Sequence, residues 1–234
     1  MSDPKILVAL DYSDKEQALA LVDKLDPSMC GLKVGKEMFT LFGPEFVKEL
    51  VKRRYNVFLD LKYHDIPNTV AKACKAAAEL GVWMINVHAA GGRVMMEKAR
   101  EALNECEHRP LLIAVTMLTS MNEDVYSELG FKRSLEDQVN HMAKMAKDAG
   151  LDGVVCSSWE AEKIKQGCGE EFKLITPGIR PQGSDKGDQS RIMTPEKALQ
   201  AGSDYLVIGR PITKAQDPYK ALCDISDSIV SHLS

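Results

Sequence analysis

The chemically capable side chains of this chain are densest in Asp60-Leu61-Lys62-Tyr63-His64-Asp65-Ile66-Pro67-Asn68-Thr69. Asp60 and Lys62 stand two residues apart at the end of an apolar, β-branched and aromatic run, Asn56-Val57-Phe58-Leu59. If that run is a strand, its pleat points both side chains to one face and puts two opposite charges in one small space. Asp65 follows where the chain must turn. Pro67 suits the first turn of a helix that Val70, Ala73, Cys74 and Ala77 continue. Two readings fit. Asp60 could simply anchor Lys62 while Asp65 accepts from the free N–H groups of a helix start, with no catalysis involved. Alternatively, an ammonium held among carboxylates is suited to donate a proton or stabilise a developing anion rather than to form a Schiff base, which points to carbanion chemistry.

The rest of the chain must position these groups. Strands are expected at Lys5 to Leu10, Cys30 to Val34, the run into Asp60, Val82 to Val87, Leu111 to Met117, Asp152 to Cys156, Phe172 to Thr176 and Tyr205 to Ile208. Helices are expected between them. A Ser13-x-x-Glu16 capping box opens the first, with Ala18, Leu19, Leu21, Val22 and Leu25 as its apolar face. Gly43-Pro44 opens the second, through Phe46, Val47 and Leu50, and Gly81 closes the Pro67 helix. Gly91-Gly92 leads into the helix of Val94, Met95 and Ala99. After a short helical piece at Asn122 to Leu129, Ser134-x-x-Asp137 caps a helix burying Val139, Met142, Ala143, Ala146 and Ala149, and Gly150 stops it. Ser157-x-x-Glu160, Thr194-Pro195 and Pro218 begin the last three, the final one running to Leu233.

Eight strands alternating with eight helices, with no linker-like shift in composition, predict one α/β domain over residues 1–234 with a parallel sheet closed into a (β/α)8 TIM barrel. A doubly wound open sheet is the alternative, but no G-x-G-x-x-G follows the first strand and there is no P-loop motif. Barrel enzymes work at the C-terminal ends of their strands, which gathers Asp11, Lys33, Asp60, Lys62, His88, Thr119, Ser157, Pro177 and Arg210 around one mouth. A strand-end histidine is usually a hydrogen-bonded structural group, so His88 stays outside the catalytic set.

The segment 177–193 carries Gly178, Arg180, Pro181, Gly183, Gly187 and Gln189 and is too long and polar for a plain connection. With Gly209-Arg210 after the eighth strand, it has the features of a phosphate site, where glycine-permitted backbone N–H groups and a cationic side chain meet an anion. The segment would then close over the phosphate. Asp11, Asp60 and Asp65 could instead ligate Mg²⁺, but Lys62 between two of them already supplies the positive charge. A site without metal is expected.

Composition sets wider limits. Of 234 residues 44% are hydrophobic, enough for a sizeable core, and the net charge of −4 gives no support to a nucleic-acid or anionic-membrane partner. The six cysteines lie apart, with no C-x-x-C pair, and read as reduced, mostly buried thiols. The apolar run in Met1 to Leu10 is too brief for a signal peptide, and none is long enough to span a membrane. A cytoplasmic protein is expected.

With these residues assembled, the chain resembles the orotidine 5'-monophosphate decarboxylase family, in its bacterial form. The resemblance runs through Leu10-Asp11, Lys33-Val34-Gly35, Asp60-x-Lys62-x-x-Asp65-Ile66-Pro67-x-Thr69, Thr119, Thr176-Pro177-Gly178-Ile179-Arg180-Pro181, Gln189 and Ile208-Gly209-Arg210-Pro211. The D-x-K-x-x-D core alone is shared with sugar-phosphate decarboxylases and aldolase-like synthases; the Ile-Pro-x-Thr continuation and the Pro-Gly-Ile-Arg loop are more specific. The resemblance implies a homodimeric barrel that turns orotidine 5'-monophosphate into uridine 5'-monophosphate and CO₂ in pyrimidine synthesis, with no cofactor or metal. It implies Asp60, Lys62 and Asp65 as the catalytic array, with Lys62 the proton donor, and Asp11 and Lys33 on the ribose hydroxyls. Asp65 and Thr69 would reach the partner subunit's site, Thr119 would contact the pyrimidine, and Arg180, Gln189, Gly209 and Arg210 would serve the phosphate.

Overall fold

The computed structural model of the protein describes residues 3–182 and 192–233. Eight strands close a barrel in sequence order: β1 (Ile6–Leu10), β2 (Cys30–Gly35), β3 (Val57–Tyr63), β4 (Met84–His88), β5 (Leu111–Val115), β6 (Gly153–Val155), β7 (Lys173–Thr176) and β8 (Tyr205–Ile208). Every neighbouring pair is parallel, and β1 pairs with β8 to complete the ring. The expected (β/α)8 architecture is borne out.

Helices wrap the outside: α1 (Lys15–Val22), α2 (Lys36–Lys52), α3 (Pro67–Ala78), α4 (Arg93–Asn104), α5 (Glu123–Glu128), α6 (Leu135–Asp148), α7 (Ala161–Cys168), α8 (Pro195–Gln200), α9 (Arg210–Thr213) and α10 (Pro218–Leu233). The strands bury both faces. Leu7, Ala9, Phe58, Met84, Ile113, Ile175, Tyr205 and Val207 fill the barrel's interior, while Val8, Leu32, Leu59, Ile85, Leu112, Leu174 and Leu206 pack outward against the helices. Burial on both faces explains why these strands read as continuous apolar runs.

Several local expectations need correction. Asp14, not Ser13, caps α1, accepting from the Gln17 N–H at 2.8 Å, because the helix starts one residue later than the Ser13-x-x-Glu16 box implies. Leu25 is buried but lies past the end of that helix. Helix α2 already begins at Lys36; Gly43-Pro44 marks a kink inside it, where Gly43 takes φ 64°. Val94 faces outward, and α4 buries Met95, Met96, Ala99 and Leu103 instead. Thr194 precedes α8 without a side-chain cap. A one-turn helix, α9, follows β8 where the sequence pattern predicts none.

Other expectations hold. Ser134 caps α6 in both directions with Asp137, and Ser157 forms a capping box with Glu160 ahead of α7. Gly81 and Gly150 end their helices at φ 79°. The six cysteines are all free, four of them buried. Burial pushes the Cys30 and Cys74 thiols up to about 12, so neither supplies a thiolate.

At the N-terminal end of the barrel two aspartates pin the strand order. Asp152 accepts from the Leu112 N–H and from Arg100 Nη1 at 2.7 and 3.0 Å. Asp204 accepts from the Leu174 N–H and from Lys165 Nζ at 2.8 and 2.9 Å. Each ties a helix cation and a neighbouring strand to one carboxylate.

Candidate active site

The opposite end of the barrel opens into a cavity of about 630 Å³, lined among others by Asp11, Lys33, Asp60, Lys62, Thr119, Pro177, Gly178, Arg180, Gly209, Arg210 and Lys214. Its size suits a nucleotide-sized ligand. Eight of the eleven expected site residues therefore share this one space: Asp11, Lys33, Asp60, Lys62, Thr119, Arg180, Gly209 and Arg210. Asp65 and Thr69 are exposed and do not line it. Gln189 lies outside the described residues, as do Gly183 and Gly187.

The charged centre sits on β2 and β3 and at the residue that follows β1. Lys62 Nζ donates to Asp60 Oδ1 at 2.6 Å, Lys33 Nζ approaches Asp60 Oδ2 at 3.8 Å, and Lys33 also donates to Asp11 Oδ1 at 3.3 Å. The side chains of Asp60 and Lys33 are only 12% and 11% exposed, so the pair is screened little by solvent. Burial alone would raise the Asp60 carboxyl. The charges of Lys62 and Lys33, with hydrogen bonds from Lys62 and Asn86, outweigh burial and hold it below the ordinary aspartate range.

A regular pleat does not make this pair, contrary to the expectation from two-residue spacing. Between Leu59 and Tyr63 the β3–β4 register shifts: β3 advances four residues while β4 advances only from Ile85 to Val87. Within that bulge Lys62 takes φ 53°, a left-handed conformation that costs a non-glycine residue roughly 1–3 kcal/mol. Asn86, fully buried on β4, accepts from the Lys62 main-chain N–H at 2.8 Å and donates through Nδ2 to Asp60 Oδ1 at 2.7 Å. Sequence reasoning missed Asn86. The available signal was an asparagine inside the apolar strand Met84-Ile85-Asn86-Val87, on the same inward parity as Met84.

Gly35 shapes the same corner. A Cβ there would stand 3.3 Å from Lys33 Nζ and 3.9 Å from Asp11 Oδ1, so the absence of a side chain leaves room for the ammonium. His88 behaves as a structural group: its Nδ1 accepts from the Ala90 N–H at 3.3 Å and its ring stacks on His64 at 5.5 Å. Burial, then the nearby His64, Lys62 and Lys36, lower its pKa.

Across the cavity lie the exits of β7 and β8. Gly178 takes φ 78° in the loop after β7. The base of that loop is tied by Arg180 N–H to Met193 O at 2.9 Å and Met193 N–H to Gly178 O at 3.2 Å. Arg180 is buried, its Nη1 donating to Ile179 O at 2.9 Å. After β8, Gly209 precedes α9, which starts at Arg210, so the exits of both strands bring Gly178, Arg180, Gly209 and Arg210 to one cavity.

A closed (β/α)8 barrel whose strand-end cavity holds a lysine–aspartate centre and two arginines defines the class of barrel enzymes. Comparison with known proteins narrows this class. The model of the Orotidine 5'-phosphate decarboxylase / HUMPS family matches residues 4–225, and the chain belongs to that family. It is 63% identical over 229 residues to an orotidine 5'-phosphate decarboxylase of Psychromonas ingrahamii, covering 97% of this chain and 98% of that protein. It is 62% identical over 231 residues to one of Vibrio cholerae, covering 98% and 100%. Among solved structures, orotidine 5'-phosphate decarboxylase of Lactobacillus acidophilus superposes with TM-score 0.87 at 40% identity, covering 97% of this chain and 99% of that one. An uncharacterized conserved protein of Geobacillus kaustophilus superposes with TM-score 0.85 at 41% identity, covering 96% and 99%.

Proposed function

We propose that this chain decarboxylates orotidine 5'-monophosphate to uridine 5'-monophosphate and CO₂, the last step of de novo UMP biosynthesis, and that it needs neither metal nor cofactor. The carboxy-lyase assignment follows from the family and from relatives above 60% identity over nearly the whole chain. The observation that carries the mechanism is the Lys62–Asp60 contact inside a cavity that also holds Arg210.

Breaking the bond between C6 and its carboxylate releases CO₂ and leaves the electron pair on C6, in the plane of the ring. That pair gains little from the ring π system, so an electron-sink cofactor would not lower the barrier. A preorganised ammonium beside C6 would, because its attraction grows as charge moves from carboxylate to carbon. Lys62 then gives its proton to C6 and regains one from solvent. Asp60 holds the ammonium in place, with its own oxygens already committed to Lys62, Lys33 and Asn86. That commitment argues against Asp60 as a metal ligand in this arrangement.

Asp11 and Lys33 bind the ribose hydroxyls in this reading, and Thr119 meets the pyrimidine. Arg180, Gly209 and Arg210 hold the phosphate, with Gln189 and the 177–193 segment closing over it. Remote phosphate binding supplies energy that organises the reacting end. Asp65 and Thr69 serve the partner subunit's site in a homodimer; their exposure outside their own chain's cavity supports this, as does Ile66 between them, 67% exposed. Free cysteines favour the reducing cytoplasm.

The test is ultraviolet absorbance of orotidine 5'-monophosphate with purified protein and excess chelator. Loss of the orotate chromophore with matching uridine 5'-monophosphate is expected. An unchanged spectrum, with turnover of a sugar phosphate once Mg²⁺ is restored, would overturn the substrate and the metal independence together.

A further inference from the structure

We propose that Asn86 is a positioning residue for catalysis: its carboxamide fixes Lys62 and Asp60 relative to one another across the β3 bulge. The inference rests on the decarboxylase reading of the site.

Three hydrogen bonds carry it. The Lys62 main-chain N–H donates to Asn86 Oδ1 at 2.8 Å, Asn86 Nδ2 donates to Asp60 Oδ1 at 2.7 Å, and Lys62 Nζ donates to that same oxygen at 2.6 Å. The carboxamide thus closes a ring through the backbone and the side chains of both residues. The chemistry of the two partners dictates the residue type. A backbone N–H only donates and an ionised carboxylate only accepts, so the bridge needs one acceptor and one donor a short, fixed distance apart. Asparagine offers both on two atoms of one planar group; an ionised aspartate only accepts, serine has both on a single atom, and leucine has neither. Asn86 is fully buried and does not line the cavity, so it acts through its two partners rather than on substrate.

The bulge makes the bridge necessary. Between Leu59 and Tyr63 the pairing with β4 is interrupted, and Lys62 stands there in the left-handed conformation. Left to ladder hydrogen bonds alone, nothing would hold the Lys62 backbone in this unfavourable conformation. The Asn86 acceptor replaces the missing ladder partner, and its donor simultaneously orients the carboxylate that receives the ammonium.

Substituting Asn86→Asp tests this by its pH signature. The new carboxylate still accepts from the Lys62 N–H but faces Asp60 as a like charge. The ring closes only when one proton is shared between the two acids. The other ionisable groups around the pair are Lys62 and Tyr63 on β3, Lys33 on β2, Asp11 just past β1 and beyond Lys33, and His88 two residues along β4; β5 presents Ile113 and Val115. The variant should therefore regain activity on acidification, whereas Asn86→Ala, with no acid to protonate, should not.

The measurement is kcat and KM for orotidine 5'-monophosphate in wild type, Asn86→Ala and Asn86→Asp, with uridine 5'-monophosphate affinity as a check on the folded site. Expected is a loss of about 100-fold in kcat for both variants at neutral pH, with KM and product affinity within about threefold of wild type. The activity of Asn86→Asp relative to wild type should rise about tenfold between about pH 8 and pH 5.5, and that of Asn86→Ala should stay flat. A kcat within about threefold of wild type overturns the proposal, as does a loss confined to KM or product affinity, or a flat pH ratio for Asn86→Asp. The Asp variant is nearly isosteric, so it decides the matter even if the Ala variant fails to fold. A wild type inert toward orotidine 5'-monophosphate would bring down the functional reading itself, an outcome distinct from active wild type with active variants.

Discussion

The ammonium of Lys62 meets Asp60 at 2.6 Å, both residues lying inside the break in the β3–β4 register between Leu59 and Tyr63. Their contact is built by a bulge and not by strand alternation. In the proposed reaction this ammonium both stabilises the C6 carbanion and protonates it. Lys62→Ala should then lower kcat by at least about a thousandfold, combining the usual effects of a general acid and a preorganised charge. Loss of the orotate absorbance measures it, with a thermal melt showing that the barrel survives. Retained turnover would remove Lys62 from the mechanism.

Arg210 lines the cavity and holds the phosphate in the proposed function. Replacing it with alanine should cost about 10–100-fold in kcat/KM, the range of a charge-assisted hydrogen bond to a phosphate oxygen. The binding of inorganic phosphate or uridine 5'-monophosphate should weaken in parallel. An unchanged product affinity would move the phosphate elsewhere.

Asp65 is exposed and accepts from the Ile66 N–H at 2.6 Å, while the cavity of its own chain lacks it. If it serves the partner's site, Lys62→Ala and Asp65→Ala proteins are each inactive alone but regain up to about a quarter of wild-type activity when mixed, through heterodimers with one intact site. Demonstrated subunit exchange with no regained activity would count against a shared site.

Asp60 sets a pH dependence of stability. Its folded carboxyl lies below the ordinary value of 3.8, so its contribution is fully present above that value and is lost as pH falls through 3.8 towards the lower folded value. Unfolding free energies of wild type and Asp60→Asn should differ by a constant amount from neutral pH down to about pH 5 and converge at lower pH. Convergence that began near neutrality would mean a raised, not lowered, carboxyl.

Lys165 is 8% exposed in its side chain and has Asp204 as its carboxylate partner at 2.9 Å, at the end of the barrel away from the cavity. Asp204→Ala leaves that cation buried and the Leu174 N–H without its acceptor. A destabilisation of about 3–5 kcal/mol in urea unfolding is expected, with kcat unchanged below the transition.

How much of this was legible in the sequence depends on the range of the interaction. The strands were readable because both their faces are buried, giving apolar runs ended by Gly and charged residues. Helix starts written in local side-chain bonds, such as Ser134 with Asp137 and Ser157 with Glu160, were readable too. The Asp14 cap and the early start of α2 were misplaced because neighbouring residues offered competing signals of similar strength. At Val94 the sequence misleads, since two adjacent apolar residues, Val94 and Met95, leave the phase of an amphipathic helix ambiguous.

The sequence by itself determined the alternation of elements, hence the barrel, and through the strand-end rule it determined that Asp11, Lys33, Asp60, Lys62 and Arg210 share one mouth. These follow from periodicity and order along the chain. Tertiary structure alone decided how the lysine is aimed. The Lys62 backbone conformation, the Asn86 bridge 24 residues away and the vacant space over Gly35 depend on how three strands meet, and none of those distances is encoded in local spacing.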